Sequence, residues 1–293
     1  MAAALETSAP HPARVYDYWL GGKDNLAADR NTAERLTGAV AQLPWLAREN
    51  RRFLGRAVRL CAGAGITQFV DIGSGLPATE NVHQAAGQVT ADPHVVYVDK
   101  DPVMVASLAR ALPSTPHTAA ICADLTYPDD ILGHQEVRRL IDFSEPVAIL
   151  LVSLLHLIPD SADPGRMVAR LREAMAPGSC LVISHFQFSR NHFAGTQPLT
   201  PAARELSAAL EGMPVPFSRS REQITSFFGD LTLVEPGLVD VWAWRPDTGP
   251  LVTMSDVLAG VRIGWNVATW LGCVGTKECP QTGPTPSTAA TDA

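Results

Sequence analysis

The spacing of apolar residues changes its period twice along the chain. From Arg14 to about residue 65, apolar positions recur at near-helical intervals, in one run from Leu26 to Val40 and in another that begins at Phe53. This spacing predicts two helices, and Pro44 separates them and can open the second. Residues 14–65 are therefore expected to form a helical N-terminal cap.

Short apolar runs typical of strands follow, separated by stretches typical of helices. The predicted strands are residues 68–72, 95–99, 117–122, 147–152 and 180–186, and the predicted helices are residues 79–90, 102–111, 128–142 and 163–175. Strands that alternate with helices, and that are apolar without strict alternation, are typical of a parallel sheet covered on both faces. The pattern predicts a doubly wound α/β fold with right-handed crossovers.

The pattern changes again after Phe186. A helix is predicted over residues 201–211, and another over residues 220–229, which begins with a Ser-x-x-Gln capping box. Two strand-like pieces and a last strand near the C-terminus follow. We therefore expect a domain over residues 66–277, between a disordered, Pro-rich start (residues 1–13) and a disordered tail (residues 278–293) of Pro, Thr, Ser and Ala.

Composition narrows the class of protein. The 293 residues are 46% hydrophobic and 18% charged, which is enough apolar material for a full core, and the net charge of −7 argues against a nucleic-acid partner. Five scattered cysteines without C-x-x-C spacing predict a reduced, cytoplasmic protein with no metal site. The start lacks the features of a signal peptide, and the longest apolar run, residues 147–158, is too short to span a bilayer.

A glycine-rich loop follows the first predicted strand, in "FVDIGSGLPATENV". In a parallel sheet, ligands bind beyond the carboxyl ends of the strands, where Gly73 and Gly75 allow positive φ and a close approach of a ligand. Asp71 precedes them and Ser74 lies between them. The loop also satisfies the dinucleotide pattern G-x-G-x-x-A, although glycines serve ordinary turns as well.

Two further strand ends carry carboxylates. Asp99 ends the second predicted strand, where a two-oxygen acceptor can bind both hydroxyls of a ribose. Asp124 follows the third strand and could accept a hydrogen bond from an adenine amino group, while the N–H of Leu125 donates to a ring nitrogen. Acids are common at strand ends, but three at successive ends favour a nucleoside ligand.

These motifs resemble those of the class I S-adenosylmethionine-dependent methyltransferases. More narrowly, "ARVYDYWLGGKDNLAADR", "RENRRFLGRAV", "QFVDIGSGLPATENVH", "VVYVDKDPVMV", "ILLVSLLHLIPD" and "LVEPGLVDVWAWRPD" resemble a bacterial family of predicted methyltransferases of this kind. The resemblance covers residues 11–277, and only residues 248–269 depart from it, being longer than expected.

The resemblance implies a Rossmann-like fold of about seven mostly parallel strands with an antiparallel C-terminal strand. It also implies S-adenosylmethionine as cofactor. The cofactor-binding residues would be Asp71, Gly73, Ser74, Gly75, Asp99, Lys100, Asp124, Leu125 and Ser153. Of these, Ser153, after the fourth strand, would lie near the methyl group.

The N-terminal block "RVYDYWLGGKDN" contains aromatic and charged residues around two glycines. It could form a lid over the ligand, or contact the substrate, with flexibility at the glycines. Its candidate residues are Arg14, Tyr16, Tyr18, Gly21, Gly22, Lys23 and Asn25. The alternative is a cap that packs on the sheet, with Trp19 and Leu20 buried and Lys23 and Asp24 solvated.

Two histidines are candidates for acid–base chemistry. His156 follows the fourth strand and could act as a general base, and His185, at the end of the fifth strand, is an equal candidate or a substrate contact. Either could instead be a satisfied core histidine. The Asn/Asp-Pro-Pro-aromatic sequence of enzymes that methylate nucleic acids and amines is absent after strand four, which argues against those acceptors.

The basic stretch from Arg48 to Arg59 is expected to be a solvated helix face, with Asn50 or Arg51 reaching the crevice; an RNA-binding face is the alternative. The predicted function is in-line methyl transfer from S-adenosylmethionine to an acceptor that is expected to be a small molecule. Alternatives are an NAD-type oxidoreductase, which the long helical N-terminus and the lack of Tyr-x-x-x-Lys disfavour, and a non-catalytic S-adenosylmethionine-binding protein.

Overall fold

The computed structural model describes residues 9–112, 115–188, 208, 210, 212–214, 216–247 and 268–278. The helices are α1 (Pro12–Leu20), α2 (Ala27–Ala39), α3 (Leu43–Gly63), α4 (Val82–Gly87), α5 (Pro102–Ala111), α6 (Pro128–Gly133), α7 (Gln135–Leu140), α8 (Pro164–Ala174) and α9 (Arg221–Ser226). The strands are β1 (Gln68–Ile72), β2 (His94–Asp99), β3 (Thr118–Cys122), β4 (Ala148–Val152), β5 (Cys180–Phe188), β6 (Thr232–Leu233), β7 (Val239–Asp240) and β8 (Ala268–Thr276). None of these helices is long and apolar enough to cross a membrane.

The eight strands form one mixed sheet, in the order β3-β2-β1-β4-β5-β8-β6, and β7 also pairs with β8. Strands β1 to β5 are parallel to one another, whereas β8 is antiparallel to β5, β6 and β7. In chain order, β2 and β3 are added on one side of β1, and β4 and β5 are then added on its other side. The carboxyl ends of β1 and β4 therefore lie at the switch point, where open α/β sheets bind ligands.

Each face of the sheet carries its own hydrophobic core. Side chains alternate along a strand, so that Phe69 packs in the core beneath α3 while its neighbour Val70 packs in the opposite core with α6 to α8. All five residues of β1 are buried. This burial on both faces explains why Phe69, Val70 and Ile72 are all apolar, without the strict alternation of a half-exposed strand.

The sequence prediction of the fold is confirmed, with local differences. The first five predicted strands lie within two residues of the observed ones, but the sheet has eight strands because the two strand-like pieces before β8 both pair with it. The predicted helix 128–142 is two helices, which meet at His134, whose extended backbone ends α6 and caps α7. The predicted helix 201–211, the C-terminal tail beyond residue 278 and most of segment 248–269 lie outside the described residues.

The N-terminal segment contains three helices, where the sequence predicted two. Helix α1 begins at Pro12, inside the stretch that its composition predicts to be disordered. The His11 side chain caps it by accepting a hydrogen bond from the Ala13 N–H at 3.2 Å, and the His11 N–H donates to Asp29 at 2.8 Å. Gly21, at φ +81°, ends α1 in the left-handed conformation that glycine adopts freely.

Candidate functional site

A cavity of about 550 Å³ lies at the carboxyl ends of β1 to β4, beneath α1. All nine residues that the sequence predicts to bind the cofactor line it: Asp71, Gly73, Ser74, Gly75, Asp99, Lys100, Asp124, Leu125 and Ser153. Four separate loops supply them. The topology brings together what the strand-end pattern predicted.

The glycine loop turns sharply towards β2. The N–H groups of Gly73 and Ser74 both donate to the carbonyl of Val98, at 2.8 and 3.1 Å. Gly73 and Gly75 have φ values of +76° and +63°. A Cβ at Gly73 would lie 2.7 Å from Leu154 Cδ1, so both the backbone conformation and the space require glycine there.

The Asp99 carboxylate is fixed in place by two backbone groups. Its Oδ2 accepts a hydrogen bond from the Gly75 N–H at 2.9 Å, and its Oδ1 accepts one from the Asp101 N–H at 2.9 Å. Burial raises the pKa of Asp99, while these two hydrogen bonds lower it. Since a carboxylate oxygen accepts more than one hydrogen bond, each oxygen can still bind a ligand hydroxyl.

Asp71 is an unpaired carboxyl in the cavity wall. It is 5% exposed, and within the described residues no N–H or O–H donates to its side chain. Burial raises the pKa of Asp71 to about 7, against the effect of Arg51, which lowers it, and with that of Asp99, which raises it. A cationic group bound beside Asp71 would restore its ionised form.

The remaining predicted cofactor residues surround the far side of the cavity. Asp124 Oδ1 accepts a hydrogen bond from the Thr126 N–H at 2.9 Å, which orients the carboxylate. Ser153 has a φ of +59°, uncommon for a residue other than glycine, and its N–H donates to Ser184 Oγ at 3.0 Å. This turn brings the chain after β4 to the cavity. Lys100 is exposed.

His156 lines the cavity but is not arranged as a base. Its Nδ1 accepts a hydrogen bond from the Phe186 N–H at 3.2 Å, which leaves the proton on Nε2. Burial, with smaller effects from His185 and Arg219, holds the pKa of His156 well below its usual value. The only lone pair of the neutral ring is thus already used, and the structure does not support a general base at this position.

His185 lies behind the cavity wall and does not line it. Its Nδ1 bonds the Phe186 carbonyl at 2.7 Å and its Nε2 accepts from Arg219 at 3.1 Å. Burial, followed by Arg219, lowers its pKa to about 4, so it is neutral at pH 7. Arg219 also donates to the carbonyls of Leu155 and Ile158 and to the Asp160 carboxylate, which ties down the loop after β4. Both ring nitrogens of His185 are therefore used in contacts that stabilise the fold.

The N-terminal block contributes five cavity-lining residues, of which Tyr16 alone is a predicted site residue: Val15, Tyr16, Asp17, Trp19 and Leu20. Tyr16 lines the cavity; its hydroxyl donates to the Ala47 carbonyl at 2.8 Å and accepts from Asn50 Nδ2 at 2.9 Å. The other candidates, Arg14, Tyr18, Gly21, Gly22, Lys23 and Asn25, are not among the lining residues.

Those residues hold the cap together. Arg14 Nε bonds the fully buried Asp29 carboxylate at 2.7 Å. The buried Asp17 accepts hydrogen bonds from the Asp24 N–H and from Asn25 Nδ2. A Cβ at Gly22 would collide with the Asp17 carboxylate, so this glycine permits the close turn after α1. These contacts are those of a packed cap, whereas Trp19 and Leu20 are half-buried and line the cavity, as a lid requires.

The arginines of α3 do not form a uniform solvated face. Arg48 and Arg52 are exposed, as expected, and Asn50 and Arg51 reach the cavity. Arg56, however, is buried, and it donates to the backbone carbonyls of Trp244 and Val241. The prediction of a solvated side chain was wrong for Arg56, because its partners lie nearly two hundred residues further along the chain.

Sequence reasoning also missed lining residues whose position depends on long-range packing. His11 Nε2 lies 3.4 Å from Asp101 Oδ2 across the cavity rim. Phe186 and Trp270, on paired positions of β5 and β8, form part of the wall. Their aromatic character was visible in the sequence, but the pairing was not. Within the described residues, no three His, Cys, Asp or Glu side chains are grouped so that they could hold a metal ion.

Comparisons with known proteins bear on the identity of the chain. The sequence profile of the S-adenosyl methyltransferase family matches residues 1–264. The structure is similar to that of a proposed methyltransferase from Thermobifida fusca, with 39% identity and a TM-score of 0.80 over 94% of this chain and 97% of that one. It is also similar to a DUF574 family protein from Streptomyces avermitilis, with 35% identity and a TM-score of 0.78 over 94% of this chain and 100% of that one.

No curated protein matches the sequence. The family match includes the glycine loop, the acidic strand ends and the N-terminal cap. The alternative prediction of an NAD-type oxidoreductase was therefore wrong. The chain belongs to the S-adenosyl methyltransferase family and is an S-adenosylmethionine-dependent methyltransferase.

Proposed function

We propose that the nine predicted residues around the cavity bind S-adenosylmethionine and that the methyl acceptor is a small molecule. The observation that carries the assignment is the Asp99 carboxylate. It is half-buried at the end of β2 and held by the N–H groups of Gly75 and Asp101, both at 2.9 Å. A fixed acceptor pair at this strand end suits the two hydroxyls of a ribose.

The other two carboxylates are suited to different parts of the ligand. Asp124 and the N–H of Leu125, at the end of β3, are suited to adenine. Asp71, at the end of β1, is buried and unpaired and has a pKa of about 7. It is suited to the positively charged methionine part of the ligand, because a nearby cation stabilises the ionised carboxylate.

The cofactor supplies an activated methyl group on a sulfonium, and the protein has to align an acceptor with it. The wall opposite the glycine loop is largely apolar, with Leu43, Leu54, Met213 and Pro214 among the lining residues. Such a wall excludes water and orients the acceptor. Positioning of this kind can contribute about 7–11 kcal/mol to lowering a barrier. Since His156 has no free lone pair, we expect no general base at that residue.

A small acceptor agrees with the shape of the site. The cavity, at about 550 Å³, is in the range of about 300–1,000 Å³ typical of small-ligand pockets, and α1, Met213, Pro214 and Pro216 bound it. A cytoplasmic location is part of the same proposal. It is supported by the free thiols of Cys61, Cys122, Cys180 and Cys273, which suit a reducing compartment.

Transfer of a radiolabelled methyl group tests this proposal. The protein would be incubated with S-adenosylmethionine labelled in the methyl group and with extract separated into small molecules, protein and nucleic acid. We expect label in the small-molecule fraction, and about 10- to 100-fold less of it with the Asp99→Ala variant at a cofactor concentration below saturation. Label confined to protein or nucleic acid would show that the acceptor class is wrong.

A further inference from the structure

Four aromatic rings pack together in the wall of the cavity. We propose that this aromatic wall, formed by Tyr16, His156, Phe186 and Trp270, binds an uncharged, planar aromatic methyl acceptor that carries an oxygen substituent. This inference rests on the proposed function, since it assigns the substrate of the same cavity. Each of the four residues lines the cavity, and they come from α1, the loop after β4, β5 and β8.

Trp270 is at the centre of the wall. Its ring centroid is 4.5 Å from that of Phe186, 6.1 Å from that of Tyr16 and 6.3 Å from that of His156. The Tyr16 and His156 rings stand edge-on to it, at 72° and 78°. Rings at these distances and angles pack favourably, and a further aromatic ring can join such a group by offset or edge contacts.

The charges around the wall argue against a cationic acceptor. None of the four residues is charged at neutral pH, because the pKa of His156 is held well below its usual value by burial. Directly behind the wall, the His185 ring lies 5.6 Å from that of His156 and is bonded by the Arg219 guanidinium. Arg219 disfavours a cation here, although its ion pair with Asp160 at 2.7 Å reduces that effect. The rings also contact one another, and so do not form an open cage around a cation.

The wall contains polar atoms that lack partners. Trp270 Nε1 and Asn50 Oδ1 are buried and have no hydrogen-bond partner within the described residues, and both residues line the cavity. Asn50 is tied to Tyr16 by the hydrogen bond from its Nδ2 to the Tyr16 hydroxyl. The Nε2–H of His156 is a further donor. Both unpartnered atoms are shielded from solvent, so an oxygen substituent reaches them only after a small shift of the surrounding side chains. It can then accept from Trp270 Nε1, and a hydroxyl can donate to Asn50 Oδ1.

Calorimetry on the protein saturated with S-adenosylhomocysteine tests the inference. Three probes are compared: 2-naphthol, its saturated counterpart decahydro-2-naphthol, and choline as a cation. We expect 2-naphthol to bind about tenfold or more tightly than the other two, since only it offers an aromatic face without a charge. Equal or tighter binding of decahydro-2-naphthol or of choline would overturn the inference, as would no binding of 2-naphthol.

Variants of the wall locate the binding. Trp270→Leu and Tyr16→Leu should each weaken 2-naphthol binding about tenfold, while S-adenosylhomocysteine affinity stays within about twofold. Trp242→Leu is the control, because Trp242 packs against Trp45 and does not line the cavity. An unchanged 2-naphthol affinity in either folded wall variant contradicts the inference. If the wild-type protein does not bind S-adenosylhomocysteine, it is the proposed cofactor site that fails.

Discussion

The Asp99 carboxylate accepts a hydrogen bond from the backbone N–H of Gly75 at 2.9 Å, and so joins the end of β2 to the glycine loop after β1. The two residues are 24 positions apart in the chain. This bond needs the parallel pairing of β1 with β2, which places Ile72 opposite Val98. The loop and the carboxylate are thus a single unit, and a change in one alters the other.

The first prediction concerns the ribose contact. Asp99→Ala removes charge-assisted hydrogen bonds worth about 1.5–3 kcal/mol, so S-adenosylmethionine affinity should fall about 10- to 100-fold. Calorimetry on the folded variant measures this. Asp130→Ala is a matched control, since Asp130 is exposed and does not line the cavity. Equal affinity of the Asp99 variant and the wild type would show that Asp99 does not bind the cofactor.

The second prediction concerns the pH dependence of binding. If the ligand's cationic part needs ionised Asp71, whose pKa is about 7, affinity should fall about tenfold between pH 8 and pH 6. Asp71→Asn should bind more weakly at pH 8 and lose this pH dependence. Calorimetry at a series of pH values measures the affinity of the wild type and of Asp71→Asn. An equally steep fall of affinity with pH in Asp71→Asn would show that another group titrates.

The same carboxyl affects the stability of the free protein. Its folded pKa is raised above the ordinary value of 3.8, so the folded state binds more protons between about pH 4 and pH 7. The contribution of Asp71 to stability is therefore fully present below pH 4 and is lost as the pH rises through 7. Comparison of urea unfolding of the wild type and Asp71→Asn across this range should show the loss only in the wild type.

The third prediction concerns the glycine loop. Gly73→Ala places a Cβ 2.7 Å from Leu154 at a φ of +76°, and should lower the free energy of unfolding by about 1–3 kcal/mol. Gly38→Ala is the opposite case, because Gly38 lies exposed in α2 with no atom within 4 Å of an added Cβ. It should raise stability by about 0.5–1 kcal/mol. Urea unfolding of both variants checks the difference, and a Gly73→Ala protein as stable as the wild type would contradict the geometry.

The fourth prediction concerns the buried ion pair that stabilises the cap. Asp29 is fully buried and binds Arg14 Nε, the His11 N–H and the Leu26 N–H. Asp29→Ala leaves Arg14 buried without its partner, and should cost about 3–5 kcal/mol of stability. Glu34→Ala removes only an exposed contact to Tyr18 and should cost less than about 1 kcal/mol.

The contribution of Asp29 to stability depends on pH with the opposite sign to that of Asp71. Burial would raise the pKa of Asp29, but the hydrogen bonds from Arg14, His11 and Leu26 together lower it. The stabilisation is therefore present above the ordinary pKa of 3.8 and is lost as the pH falls below it. Lys23→Ala, in the same motif but exposed, should change neither stability nor cofactor affinity, as thermal unfolding and calorimetry can show.

The sequence predicts the architecture well because its signals are local. The apolar runs of β1 to β5 reflect burial on both faces of the sheet, and Asp71, Asp99 and Asp124 lie at or just beyond the ends of β1, β2 and β3. The role of His156 could not be read in the same way, since the hydrogen bond that occupies its Nδ1 comes from Phe186, thirty residues later. Arg56 and Trp270 were misjudged or missed for the same reason: their surroundings are made by segments distant in the chain.

The split of the N-terminal block has a related cause. Its unusual string of residues predicts a special role, but a lid over the ligand and a cap packed on the sheet both use aromatic, charged and glycine residues. Only the contacts show that Tyr16 and Asp17 line the cavity while Tyr18, the next residue, does not and donates to the exposed Glu34 of α2. Side chains one position apart on a helix point about 100° apart, so a single motif can serve both cap and cavity.

A crystal structure of the protein with S-adenosylhomocysteine tests the central claim most directly. We expect the ribose hydroxyls within hydrogen-bond distance of Asp99, the adenine beside Asp124 and Leu125, and the amino group near Asp71. Density for the compound anywhere but in this cavity, or an empty cavity at a saturating concentration, would contradict the account.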